Sequence, residues 1–166
     1  DAVEVHLLRK IEDAAAAVLA KYKGASLDLR SLTELGDSAA ESLSKYGGEL
    51  SLESLTEICD SVAGSLANHK GDLNLSGLKE LSDSAAQKLS SHIGLLDLSG
   101  LAELSDAAAE SLSNIRIDDE DRNLNGDPHL LDLAGLSELS DAAAESLSKL
   151  NGKINLSGLT KISDCT

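Results

Sequence analysis

Seven aspartates, Asp13, Asp37, Asp60, Asp83, Asp106, Asp141 and Asp164, divide this chain at intervals of 24, 23, 23, 23, 35 and 23 residues. The same frame recurs around each of them. Residues ten, eight, five and two places earlier are aliphatic, as in Leu73, Leu75, Leu78 and Leu81 before Asp83, or Val3, Val5, Leu8 and Ile11 before Asp13. Small residues follow at plus two and plus three, and a leucine follows at plus six in all six complete copies. A unit of about 23 residues copied seven times restricts the chain to a stacked repeat architecture, in which each copy buries its apolar face against its neighbours. One excess of 12 residues falls between the fifth and sixth copies.

Within a unit the period changes. Leu96 and Leu98 are two apart, which places both on one face of a strand. Ala108, Ala109 and Leu112 lie on one side of a helix, and the small pair lets that helix pack close to the strand layer. Ser-Asp at the start of this run (Ser82-Asp83, Ser105-Asp106, Ser140-Asp141) suits a helix N-terminus, whose free amides need acceptors. On this reading the marker aspartate is a helix cap rather than a ligand. Glycine at plus eleven (Gly24, Gly48, Gly71, Gly94, Gly152) suits the left-handed residue that ends a helix. Each copy therefore reads strand, turn, helix, glycine, strand.

Composition narrows the core and the partners. The chain is 42% hydrophobic, yet its aromatic side chains are only Tyr22 and Tyr46, so the expected core is a narrow seam of Leu, Ile, Val and Ala. A net charge of -15 opposes nucleic acid and anionic membrane surfaces and favours cations or basic partners. No apolar run approaches a membrane-spanning length and no signal peptide opens the chain. It starts at Asp1 rather than Met and stops at Thr166 where a seventh helix is due, so trimming, continuation of the array and cellular compartment all stay open. Cys59 and Cys165 stand four copies apart, roughly 19 Å at a strand spacing of about 4.8 Å, too far for a bridge.

The segment Leu96 to Leu112, Leu-x-Leu-x-x-Leu-x-x-Leu-Ser-Asp-x-Ala-Ala-x-x-Leu, resembles a leucine-rich repeat. It is closest to the cysteine-containing class, with Leu78, Leu101 and their equivalents in place of Cys or Asn and Gly in place of the terminal Cys. The resemblance covers the chain apart from the excess segment. It implies an α/β fold: a curved right-handed solenoid with a concave parallel β-sheet and convex α-helices. It also implies protein–protein recognition. The organisation expected is one domain over residues 1–166, seven repeats with the last truncated, and an inserted loop at 114–129 within the fifth.

With the paired leucines inward, the residues beside them form the concave face. Candidate partner-binding positions there are Asp28, Arg30, Glu49, Ser51, Glu53, Asp72, Asn74, Leu95, Asp97, Leu130, Asp132 and Asn155, a polar acidic surface with one apolar patch at Leu95 and Leu130. It suits a basic or polar protein; it equally suits a solvated sheet that only holds the array together. Asn74-Leu75-Ser76 and Asn155-Leu156-Ser157 spell glycosylation triplets, but both arise from the repeat itself.

The insertion contains the sole proline and an acidic cluster. Asp121-x-Asn123-x-Asn125-Gly126 matches the first half of a calcium loop, with Asp127 adjacent and Asp132 at the twelfth position, where that motif carries Glu. The readings are calcium ligation or a hydrated Asn-Gly turn. His69 and His92 share one column with Tyr22, Tyr46 and Leu150 and read either as a two-histidine metal site or as filling of the last helical turn. Ser42-x-x-Lys45 and Ser146-x-x-Lys149 spell a nucleophile pair, but the repeat explains them and a thin stack offers no cavity around them. The leading expectation is a non-catalytic interaction scaffold. The alternatives are a structural or adhesive extracellular domain with a calcium-binding loop, and a sensor domain of a longer chain.

Overall fold

The computed structural model of the chain describes residues 2–4, 8–115 and 130–163. Among these are six α-helices and a seven-stranded parallel sheet, an open α/β arrangement consistent with a repeat solenoid and closing into no barrel. The sheet strands are β1 (Ala2–Glu4), β2 (Ser26–Asp28), β3 (Glu49–Ser51), β4 (Leu73–Asn74), β5 (Leu96–Asp97), β6 (Leu131–Asp132) and β8 (Ile154–Asn155), in that spatial order. The helices are α1 (Asp13–Leu19), α2 (Asp37–Leu43), α3 (Asp60–Leu66), α4 (Asp83–Leu89), α5 (Asp106–Leu112) and α6 (Asp141–Leu147). A second small sheet, which the periodicity did not foretell, pairs β7 (Glu138–Ser140) with β9 (Lys161–Ser163).

Register follows the leucine frame. Leu27, Leu50, Leu73, Leu96, Leu131 and Ile154 are consecutive partners across the sheet. Ladder bonds such as Leu52 N–H to the Asn74 carbonyl and Leu75 N–H to the Asp97 carbonyl, both 2.9 Å, join each unit to the next. The insertion leaves this ladder intact: Leu96 pairs with Leu131, and Leu98 N–H reaches the Asp132 carbonyl at 2.9 Å.

Each unit turns twice on a short backbone bond. The first joins the aliphatic residues at minus five and minus eight, as in Leu78 N–H to the Leu75 carbonyl at 3.1 Å. The second returns the chain after the helix, from the residue at plus nine to the plus-six leucine, as in His92 N–H to the Leu89 carbonyl at 2.9 Å. Helices of seven residues are too short to persist alone. They are held because Ala85, Ala86 and Leu89, and their equivalents in the other copies, are buried against the leucines of the strands. The seam is continuous from Ile11 to Leu147, and it thins at the last copy, where Ile154, Leu156 and Leu159 are only partly covered.

Two expected roles change. The marker aspartate does not cap its own helix; it is the first helical residue. In α4, α5 and α6 the cap is the preceding serine, whose extended backbone (φ -68°, ψ 152° at Ser82) lets its oxygen turn back to accept from Ala85 N–H at 3.0 Å. Ser105 and Ser140 do the same for Ala108 and Ala143. Glu12, Gly36 and Cys59 precede α1, α2 and α3 without a side-chain cap bond. The aspartate instead points along the stack and accepts from the hydroxyl in the next copy. Ser61 donates to Asp37 at 2.7 Å, Ser82 to Asp60 at 3.1 Å, Ser105 to Asp83, and Ser140 to Asp106. Hydrogen bonds from Ser84 and Ser82 accordingly hold the Asp60 carboxyl below its usual range.

Glycine at plus eleven is also not a general left-handed terminator. Among the described glycines only Gly94 has a positive φ, at 128°. The shared reason is close approach: a Cβ on Gly71 would stand 2.1 Å from the Gly48 carbonyl oxygen of the preceding copy. The same holds on the strand side, where a Cβ on Gly100 would stand 1.9 Å from the Ser76 carbonyl oxygen.

Replacing Ser105 with Ala removes both the α5 cap and the donor to Asp83. Stability should fall by about 1 kcal/mol in urea unfolding. Ser113→Ala, which removes only a hydroxyl bonded to the Glu110 carbonyl of its own helix, should be nearly silent.

Candidate functional site

The outer face of the sheet is built from the residue between each pair of inward leucines and its two flanking columns. The strands are only two or three residues long, so the chain bends as soon as the central residue has passed. That bend points the backbone N–H two residues on toward the central side chain. Asp28 Oδ1 accepts from Arg30 N–H at 3.0 Å, Asn74 from Ser76 at 3.0 Å, Asp97 from Ser99 at 2.9 Å, Asp132 from Ala134 at 2.9 Å and Asn155 from Ser157 at 3.0 Å. These are Asx turns, which explains why Asp and Asn interchange down the column: either carries the acceptor. Ser51 is the exception, and its hydroxyl donates to Glu53 Oε1 at 3.1 Å.

Sideways bonds tie the column together. Asn155 Nδ2 donates to Asp132 Oδ2 at 3.0 Å, and Asn74 Nδ2 to Glu53 Oε1 at 3.4 Å. Asp28 and Ser51 are only 7% exposed, which removes them from the accessible face. Arg30, the residue type most suited to anchor a partner, folds back with Nε 2.7 Å and Nη2 2.6 Å from Asp28 Oδ2.

The flanking columns divide by chemistry. Glu49 and Asp72 are exposed, although Asp72 Oδ1 also accepts from Leu95 N–H at 3.1 Å. The apolar patch expected at Leu95 and Leu130 is absent as a surface: Leu95 is half-buried and Leu130 is 3% exposed. Leu130 resumes the stack after the insertion, with its N–H bonded to the Lys153 carbonyl, and its side chain joins the core. The accessible face therefore carries the carboxylates of Glu49, Glu53, Asp72, Asp97 and Asp132 across four consecutive units, with Lys153 at its far end.

Of the residues matching a calcium loop, Asp121, Asn123, Asn125 and Asp127 lie outside the described residues. Asp132 lies in β6 with one oxygen bonded to Ala134 N–H and the other to Asn155. No group of three or more His, Cys, Asp or Glu among the described residues has metal-holding geometry. The Ser-x-x-Lys pairs sit on the helix surface, where Lys45 Nζ is 3.2 Å from Glu41 and Lys149 Nζ is 3.6 Å from Glu145. Asn74 and Asn155, the glycosylation triplets, use their amides within the face. No described helix is long and apolar enough to cross a membrane.

On the other edge of the sheet, the turns after the helices align Tyr22, Tyr46, His69 and His92 in one stack. Successive ring centres are 6.3, 6.2 and 6.3 Å apart. Tyr46 Oη donates to the Gly24 carbonyl at 2.9 Å, and burial raises its pKa, helped by Tyr22 and Glu49. The histidines fill this column as apolar groups would. Burial lowers the pKa of both, His92 to about 4, so both are neutral at pH 7.

Comparisons with protein-family models, with curated proteins and with solved structures found no match.

Because the turn needs an acceptor and not a charge, Asp97→Asn should leave the urea midpoint unchanged. Asp97→Ala should cost about 1 kcal/mol through the orphaned Ser99 N–H.

Proposed function

We propose that this chain is a non-catalytic leucine-rich-repeat scaffold. In this reading it is a curved right-handed solenoid whose concave parallel sheet holds a basic segment of a protein partner. The observation that supports it is the row of accessible carboxylates from Glu49 and Glu53 through Asp72 and Asp97 to Asp132, one or two per unit in consecutive units. Parallel strands repeat at about 4.8 Å, so these charges form a stripe along the stack axis. Within the stripe, Lys or Arg side chains of an extended peptide meet negative charge at every step. The overall charge of -15 adds long-range attraction to the same class of partner, which raises association rate more than affinity and weakens with salt.

The test uses a lysine-rich peptide followed by fluorescence anisotropy at low and physiological ionic strength. Asp97→Asn with Asp132→Asn removes two charges while keeping both Asx turns. It should weaken binding about tenfold, or about 1.4 kcal/mol. A variant matched in charge on the helix side, Glu110→Gln with Glu145→Gln, should change binding far less. Equal losses from both variants would mean attraction to bulk charge with no binding face.

A second reading, a structural or adhesive domain with a calcium-binding insertion, rests on Asp121, Asn123, Asn125, Asp127 and Asp132. The unbroken register from β5 to β6 favours it in one respect, because the stack does not depend on the loop for its own continuity. Calcium at a hundredfold excess over its Kd would stabilise the fold by about 2.7 kcal/mol, a melting shift of several degrees against chelator. Unchanged melting would dismiss that reading.

A further inference from the structure

Three of the four ring nitrogens of His69 and His92 are buried without a protein hydrogen-bond partner: Nδ1 and Nε2 of His69, and Nδ1 of His92. The fourth, His92 Nε2, lies 3.3 Å from the Leu95 carbonyl oxygen. The rings are 1% and 0% exposed, 6.3 Å apart and within 4° of parallel. Tyr46 stacks on the outer side of His69, and Ile115 takes the next place in the column beyond His92. The ionisable groups facing this pair are few. Asp72, before β4, favours a charge on either ring but already accepts from Leu95 N–H. Glu49 opens β3 and acts on Tyr46, and Tyr46 itself offers a phenol engaged with Gly24. Backbone carbonyls of Gly48, Ser44 and Asp72 also favour a charged His69, and those of Leu95 and His69 a charged His92, yet burial outweighs them.

We infer that protonation of this histidine pair opens the turns that follow α3 and α4, so that mild acid loosens the middle of the stack while the units beyond it stay packed. An imidazolium must place two N–H donors, and only His92 Nε2 has an acceptor at hydrogen-bond distance and angle; the other carbonyls near the rings do not offset the burial. A second charge on the neighbouring ring would add repulsion between stacked cations. The release is short, because each ring hangs from a turn closed by one backbone bond, His69 N–H to the Leu66 carbonyl and His92 N–H to the Leu89 carbonyl, both 2.9 Å. In a stack whose units touch only their neighbours, a local opening need not spread.

The sign follows from the lowered values in the closed form. Above pH 6.5 neither form carries the proton, so pH has no effect. As pH falls through 6.5 the opened form binds protons that the closed form refuses, and opening grows until pH nears 4, where His92 titrates in place. Between pH 7.5 and 5, His92 alone multiplies the opening constant roughly thirtyfold, and His69 acts in the same direction. Most carboxylates titrate below this window.

Hydrogen exchange followed by mass spectrometry, corrected for the intrinsic pH dependence of exchange, reads this directly. On going from pH 7.5 to 5, protection in residues 66–72 and 89–95 should fall by roughly thirtyfold or more, while residues 131–147 hold theirs. His69→Leu with His92→Leu, which places in the column the residue type already present at Leu150, should abolish the fall. Flat protection, uniform loss along the chain, or an acid response that survives the double substitution would overturn the inference. If the double variant fails to fold, NMR titration of the wild-type imidazoles decides: a His92 midpoint below about 5, with that of His69 below the ordinary 6.5, supports it, and anything else refutes it.

Discussion

Each unit of this chain sits one strand spacing from the next because the backbone amides of one copy bond the carbonyls of its neighbour. That distance, about 4.8 Å, is shorter than the width of most side chains. Everything that repeats must therefore either stack flat on its own copy or be small enough to pass. Leucines stack on leucines through Leu27, Leu50, Leu73, Leu96 and Leu131. Helices pack close on the strands because paired alanines such as Ala85 and Ala86 are buried there. Where two backbones cross, as at Gly71 against Gly48 or Gly100 against Ser76, no Cβ fits at all. The near absence of aromatic rings has the same origin. The rings that remain lie flat, tilted by 20° or less to one another, in the one column wide enough to hold them.

The leucine frame was legible because it is a local pattern: residues two apart share a strand face, and residues three or four apart share a helix face. From that pattern alone follow seven sheet strands, six helices and a core seam that contains no large ring apart from Tyr46. What the pattern could not convey were contacts between copies. Asp83 stands at the start of its own helix in sequence, and only the stacked neighbour shows that its oxygen serves Ser105 instead. A hint was present in the Ser-Asp dipeptide, which recurs from the fourth copy onward at Ser82, Ser105 and Ser140. A donor beside an acceptor in successive copies is what a bond from copy to copy requires.

The outer face was legible in position but not in availability. Asp97, Asp132 and Asn155 stand where alternation places them, yet part of each side chain is spent on its own turn, and Arg30 is closed on Asp28. Leu130 shows the limit of alternation most plainly. Its column is outward, but a leucine beside a resuming strand gains more by joining the seam than by facing water. Of the proposed calcium ligands, only Asp132 falls among the described residues.

Ile115 and Leu130 are both buried in the seam, and in the sequence residues 116–129 stand between them where Ile93 and Gly94 stand between His92 and Leu95 in the unit before. A link of two residues and a link of fourteen thus join the same two anchor points, and the strands on either side pair in the same register. This junction therefore makes no demand on length. A lineage of such chains could lengthen, shorten or exchange the segment there while every other unit kept its fold, so new recognition chemistry could be acquired at one junction without redesigning the stack.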